Sequence, residues 1–146
     1  MITFAGGRPK DINLFQVQKA IDNAKYAVVP EGSLILLAEC AEGVGNPVFK
    51  RWAKEATCAE DCVEWFGQVY EFGGHKAALI AKESPNHDLI LVSKLPSKVV
   101  EMCFFRHAYT LDHALGMARE RQSKDAKTLV MPYGGLTLAT SELSGL

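Results

Sequence analysis

Gln16 and Lys19 are the two residues of this 146-residue chain whose types and spacing first suggest chemistry. Three apart on an expected helix, they project side by side from one face. A lysine ammonium holds a carboxylate through a charge-assisted hydrogen bond worth about 1.5–3 kcal/mol net, and a glutamine amide offers both a donor and an acceptor. Together they would orient a small hydroxy acid, although the same pair also suits an ordinary solvated helix face. Their helix directly follows Gly6-Gly7-Arg8-Pro9-Lys10-Asp11, and such glycines let backbone approach a ligand closely. At about 100° per residue, Leu14, Val17, Ile21 and Ala24 form the face that should cover a sheet. Ile12, Phe15, Gln16, Lys19 and Asn23 fall on the opposite side. A purely solvated face would not need Ile12 and Phe15. This mixed surface is therefore expected to be accessible in the isolated domain and to be covered by a second domain or a ligand.

The elements that position these residues alternate along the chain. Ile2-Thr3-Phe4-Ala5 reads as a strand stopping at Gly6-Gly7, and Asp11 as the N-cap of a helix to about Lys25. Ser33 to Ala38 is a continuous apolar run, the pattern of a strand covered on both faces. Asn46-Pro47 opens a helix with a capping residue and a first-turn proline, and Thr57-Cys58-Ala59-Glu60 opens another, through Phe66, as a capping box. Further elements are a helix from His75 to Ala81, strands at Leu89–Val92, Met102–Phe105 and Thr128–Met131, and a Thr110-capped helix to about Gln122. Parallel neighbours need crossovers of this kind. The expected fold is a single α/β domain over 1–146, Rossmann-like and three-layered, with a mostly parallel sheet of about five strands. Ala139 to Leu146 reads as a loose polar tail.

In such sheets ligands gather outside the carboxyl ends of the strands. Besides Gly6 and Gly7, loops with that address carry Gly43 and Gly45, and Gly134 and Gly135. Gly73-Gly74-His75-Lys76 also leads into a helix, where His75 could turn a neutral imidazole toward a shared cleft. Each loop taken singly fits an ordinary turn. None is a phosphate fingerprint, so NAD and ATP are not expected, and no nucleophile elbow is present. His87, in a Pro-Asn-His-Asp turn, is expected to be exposed; His107 and His113 read as structural or surface residues. Cys40, Cys58, Cys62 and Cys103 are expected to be reduced, because they sit in strand-end and helix patterns rather than a loop-rich disulfide framework. No second pair or nearby histidine completes a four-ligand metal set with Cys58 and Cys62, so these read as small buried apolar residues.

A net charge of -1 and a pI near 6.4 supply no basic stripe for nucleic acid. The apolar runs are too short for a membrane span and no signal sequence opens the chain, so a cytoplasmic protein is expected.

Four ordered segments carry a resemblance over nearly the whole chain: Gly6 to Ala20, Ala38 to Gly45, Gly73 to Ala77, and Val130 to Gly135. Together they resemble the carboxy-terminal domain of the nickel-pincer-dependent lactate racemase family, whose members are isomerases. The resemblance implies a two-domain protein that binds a 2-hydroxy acid and a nickel-pincer nucleotide between its domains. In that plan the amino-terminal domain holds the cofactor through a lysine and a histidine, and two more of its histidines act as acid and base while hydride passes between substrate and pincer ring. The family's motif of an aromatic residue, Gln, two residues and Lys falls on Phe15, Gln16 and Lys19. This implies that Gln16 and Lys19 bind the substrate carboxylate or hydroxyl; Phe15 lacks the hydroxyl of the tyrosine found in some members, and His75 lies near another cleft position. No segment resembles the amino-terminal domain. The resemblance thus implies a substrate-facing domain that is inactive in isolation, has no catalytic residue or metal ligand of its own, and has the amino-terminal domain as its partner. A stand-alone, non-enzymatic small-anion-binding or interaction domain is the alternative.

Overall fold

Strands β2 (Ser33–Leu37) and β3 (Asp88–Val92) form the middle of the structure, a computed structural model that describes residues 1–140. Residues 141–146, most of the tail expected to be loose, lie outside the described residues. Both central strands are apolar on both faces, as a sheet covered by helices on each side requires. Leu34, Leu36, Leu89 and Leu91 point into the larger core, and Ile35 and Ile90 into the smaller one. With β1 (Ile2–Phe4), β4 (Arg106–Ala108) and β5 (Val130–Met131) they form a five-stranded sheet in the order β4-β3-β2-β1-β5. All neighbouring pairs are parallel, with Ile2 opposite Ile35 and Ile35 opposite Ile90. The fold is the expected α/β, Rossmann-like three-layer arrangement.

Helix α1 (Leu14–Ala24) lies against β1 and β2, with Leu14, Val17, Ile21 and Ala24 buried as the helical spacing predicts. Helices α2 (Pro47–Glu55), α3 (Ala59–Gln68) and α4 (Gly74–Glu83) pack together, and α4 also touches α1. Helix α5 (Ser97–Met102) precedes β4, and α6 (Leu111–Arg119) covers the other face of β2, β3 and β4. No helix among the described residues is long and apolar enough to cross a membrane.

Local signals account for most helix starts. Asn46 Oδ1 accepts from the amides of Val48 and Phe49 at 2.9 and 3.0 Å, ahead of the first-turn Pro47. Thr110 caps α6 through His113. The box at α3 is displaced from its expected form: Cys58 is the N-cap, and Asp61 rather than Glu60 reaches back, accepting from Thr57 and Cys58.

Two expectations need larger correction. Asn13, not Asp11, caps α1, because residues 7–12 form a turn of their own in which Lys10 and Asp11 donate to Gly7 O. The strand expected at Met102–Phe105 is the end of α5 and a turn, with Phe104 at φ 68°. Buried Cys103 and Phe105 produce a strand-like alternation there, and β4 begins one residue later. Short apolar runs do not distinguish a strand from a buried helical turn.

The cysteines are free thiols. Cys40, Cys62 and Cys103 are buried, whereas Cys58, expected to be buried, is exposed at the start of α3. Burial pushes the Cys40 and Cys103 thiols up to about 12 and the Cys62 thiol up to about 11. Thiolate is the reactive form. A thiol-specific disulfide reagent is therefore expected to modify Cys58 alone in the native protein at mildly alkaline pH, and all four cysteines after denaturation. Rapid native modification of a second cysteine, read by mass spectrometry, would contradict this packing.

Candidate functional site at the sheet's switch point

The chain steps outward from β1 through β2 and β3 to β4, then returns to place β5 on the other side of β1. Neighbouring loops diverge at such a reversal and leave a crevice at the carboxyl ends of the strands. Here the crevice lies between the loops leaving β1 and β5. It has a volume of about 210 Å³ and is lined by Ala5, Lys10, Gln16, Lys19, Gly135 and Leu136, among others. Sequence spacing alone pairs Gln16 with Lys19, and Gly135 falls in an expected cleft loop; the fold brings these together and adds the side chains of Lys10 and Leu136.

Gly134 brings the β5 loop close enough to form the crevice wall. Its amide donates to Phe4 O at 3.0 Å, and Asn23 Nδ2 donates to its carbonyl at 2.7 Å. A Cβ at this position would lie 2.2 Å from Thr3 Oγ1 and 3.0 Å from Ala20 Cβ. Gly134→Ala is therefore expected to destabilise the domain by about 1–3 kcal/mol through overpacking. Chemical denaturation would measure this, and an unchanged midpoint would show that the wall is not built as described.

The start of α1 is fully engaged within the protein. Leu14 N and Phe15 N each donate at 3.0 Å to Gly43 O and Val44 O, and Gln16 N donates to Asn13 Oδ1 at 3.0 Å. The Gly43–Gly45 loop thus straps α1 down rather than opening into the crevice. Gly45 adopts φ 84°, and a Cβ there would lie 2.1 Å from Asn13 Cγ. With these backbone donors occupied, side chains must supply any grip on an anion. Gln16 and Lys19 are exposed, and Lys10 and Lys19 form no ion pair with another described residue.

Comparison with known proteins decides the lineage of this crevice. The family described as lactate racemase C-terminal domain matches residues 1–138. The chain belongs to that family. It is 30% identical over 142 residues to the lactate racemase of Thermoanaerobacterium thermosaccharolyticum, covering 92% of this chain and 33% of that protein. It is 28% identical over 142 residues to the lactate racemase of Lactiplantibacillus plantarum, covering 91% of this chain and 32% of that protein. The solved lactate racemase apoprotein of T. thermosaccharolyticum superposes with a TM-score of 0.85 at 28% identity, over 97% of this chain and 35% of that one. The chain therefore spans about a third of the length of the relatives it matches.

His75 stands apart from the residues lining the crevice. It is half-buried at the start of α4, where its Nδ1 accepts from Gly73 N at 3.2 Å. Its ring stacks on Tyr70 at 5.3 Å and lies 5.7 Å from Phe72. Phe72 in turn meets Phe15 edge to face at 5.6 Å, which links His75 to the exposed face of α1 through two aromatic rings. Phe15 and Ile12 are half-buried, less accessible than expected.

Lys76 was passed over in the sequence. Its ammonium donates to Phe15 O at 2.8 Å and lies 4.1 Å from the centre of the Phe15 ring. Burial, followed by the charge of Lys19, holds its pKa below the ordinary lysine value. The available signal was its position four residues before Ile80, which places it on the buried face of α4.

The other histidines lie elsewhere. His87 is not exposed as expected: its side chain is 9% accessible, with Nε2 3.6 Å from Glu83. His107 is structural, with Nδ1 2.8 Å from Ser97 Oγ and Nε2 3.1 Å from Ser93 O. His113 is exposed and stacks on Tyr109. Among the described residues no group of three or more His, Cys, Asp or Glu side chains is placed to hold a metal ion. The crevice offers ammonium and amide groups, which complement a carboxylate and do not form a nickel donor set.

Proposed function

We propose that this chain is the substrate-facing carboxy-terminal domain of a two-domain, nickel-dependent racemase or epimerase of 2-hydroxy acids, and that it has no turnover by itself. The observation that carries this reading is the crevice in which Lys19 and Gln16 stand exposed beside Lys10. Lys19 holds the substrate carboxylate by a charge-assisted hydrogen bond, and the Gln16 amide pairs with the carboxylate or the 2-hydroxyl. Lys10 adds positive charge from the β1 loop. Leu136 and the methyl of Ala20 give the crevice an apolar side against which the 2-substituent lies.

A racemase must hold both enantiomers in one site. Hydride can pass to and from one acceptor only if the C2 hydrogen points the same way in both enantiomers; with the carboxylate held by Lys19, the hydroxyl and the 2-substituent are then the groups that exchange places. The face of C2 that reacts then points out of this domain toward its partner. By family resemblance that partner is the amino-terminal domain, and the nickel-pincer nucleotide it carries supplies hydride acceptance when bound. What Lys19 and Gln16 contribute is orientation, which lowers the barrier only when the reacting centre is in place.

The test is to assay the two-domain protein, loaded with the nickel cofactor, against the D and L forms of lactate and of several other 2-hydroxy acids by chiral chromatography. Interconversion of at least one pair is expected, with none by residues 1–146 alone. Turnover by the isolated chain, or no interconversion of any pair, would overturn the reading.

A further inference from the structure

Lys76 is a charge without a counter-ion among the described residues. Its ammonium is half-buried, and no carboxylate among the described residues lies within ion-pair distance of it. Asp22, the acid that acts on it most, is itself bonded to Lys25 at 2.7 Å. Desolvating an ammonium is unfavourable unless something compensates it. Here the compensation is a carbonyl oxygen and an aromatic face, Phe15 O at 2.8 Å and the Phe15 ring at 4.1 Å. Neither carries a negative charge.

The location of that carbonyl matters. In an α-helix the carbonyl of residue i points along the axis to the amide of residue i+4, so Phe15 O faces the backbone of Lys19. The Lys76 ammonium therefore sits beside the turn of α1 that presents Gln16 and Lys19, close enough for the Lys19 charge to disfavour its protonated form. Among the described residues neither the Lys76 nor the Lys19 ammonium is paired with a carboxylate, and an anion bound at this turn of α1 would balance their charge.

We propose that Lys76 is a positioning residue of the carboxylate-binding surface. From α4 it braces the first turn of α1 through the Phe15 carbonyl, and its positive charge reinforces the hold of Lys19 on the substrate carboxylate. This rests on the assignment of Lys19 as the carboxylate ligand. It adds a residue from a different helix and makes the relative position of α1 and α4 part of substrate recognition.

The test compares steady-state kinetics of the two-domain, cofactor-loaded protein carrying Lys76→Met, Lys76→Gln, Lys76→Arg or Lys19→Ala. Lys76→Met is expected to raise KM roughly tenfold, with a smaller change in kcat, as expected for loss of one partly desolvated charge near the bound anion. Lys76→Arg, which keeps the charge and a donor, should restore most of the affinity. Lys76→Gln, which keeps a donor to Phe15 O without the charge, should resemble Lys76→Met. Wild-type KM in Lys76→Gln would reduce Lys76 to a neutral brace and overturn the proposal, as would failure of Lys76→Arg to restore affinity. If Lys76→Met does not fold, the Gln and Arg variants carry the same comparison. Unchanged kinetics in Lys19→Ala would instead remove the assignment on which this inference rests; loss in Lys19→Ala with wild-type behaviour in the Lys76 variants would remove this inference alone.

Discussion

Replacing Lys19 with alanine in the cofactor-loaded two-domain protein is expected to lower kcat/KM for a 2-hydroxy acid by roughly 10- to 150-fold, the range that corresponds to losing a charge-assisted hydrogen bond of about 1.5–3 kcal/mol. Bound nickel, measured on the same preparation, should be unchanged, because no metal donor set exists among the described residues of this domain. Fold stability should also be close to wild type: Lys19 is exposed and makes no ion pair within the described residues. Exposed substitutions of this kind usually change stability by no more than about 0.5 kcal/mol. Normal turnover in this variant would exclude Lys19 from substrate binding. Loss of nickel together with activity would show that the domain contributes to cofactor retention in a way the crevice does not explain.

The second large effect concerns the scaffold. Phe49 is the largest fully buried side chain, at 1% accessibility, and with Trp52 and Ala53 forms the buried face of α2. Phe49→Ala is expected to destabilise the domain by about 3–5 kcal/mol through lost burial and a residual cavity. That is a large part of the roughly 5–15 kcal/mol that holds a typical domain folded. Chemical denaturation should show a lower midpoint at an unchanged slope. Helix α2 packs on α4, so the variant also tests whether the position of α4, and with it His75 and Lys76, depends on this core. A loss below about 1 kcal/mol would mean that the surroundings collapse into the space, and that α2 is held by something other than Phe49.

Much of the fold could be read from local pattern. The apolar runs of β2 and β3 have few alternatives once they are flanked by helices, and Asn46-Pro47 marks a helix start through two independent physical effects, a side-chain cap and a restricted φ. Where the sequence misled, a tertiary contact had overridden a local signal. Asp11 has the chemistry of a cap, but its carbonyl accepts from Cys40 N, and the turn it occupies leaves Asn13 to start the helix. Cys103 and Phe105 are buried by neighbours distant in sequence, which gave Met102–Phe105 the look of a strand.

The site shows the same division. Gln16 and Lys19 share a face of one helix, so their spacing was enough to pair them. Gly135 was legible as a loop glycine at the carboxyl end of a strand, but that it and Leu136 face Gln16 and Lys19 depends on β5 lying beside β1, a consequence of strand order that no local pattern contains. Lys76 donates to a carbonyl 61 positions away in the chain, a contact beyond the reach of any local motif. His87 was read as exposed from its turn-like surroundings, but the turn folds its ring against Glu83.

The central claim is that this domain holds the acid by its carboxylate in the crevice between the β1 and β5 loops. A crystal structure of the cofactor-loaded two-domain protein with a bound 2-hydroxy acid tests it most directly. A carboxylate oxygen is expected within hydrogen-bond distance, about 2.7–3.2 Å, of Lys19 Nζ, with the Gln16 amide on the carboxylate or hydroxyl. A substrate whose carboxylate is held by other residues, with the Lys19 ammonium left in solvent, would contradict it.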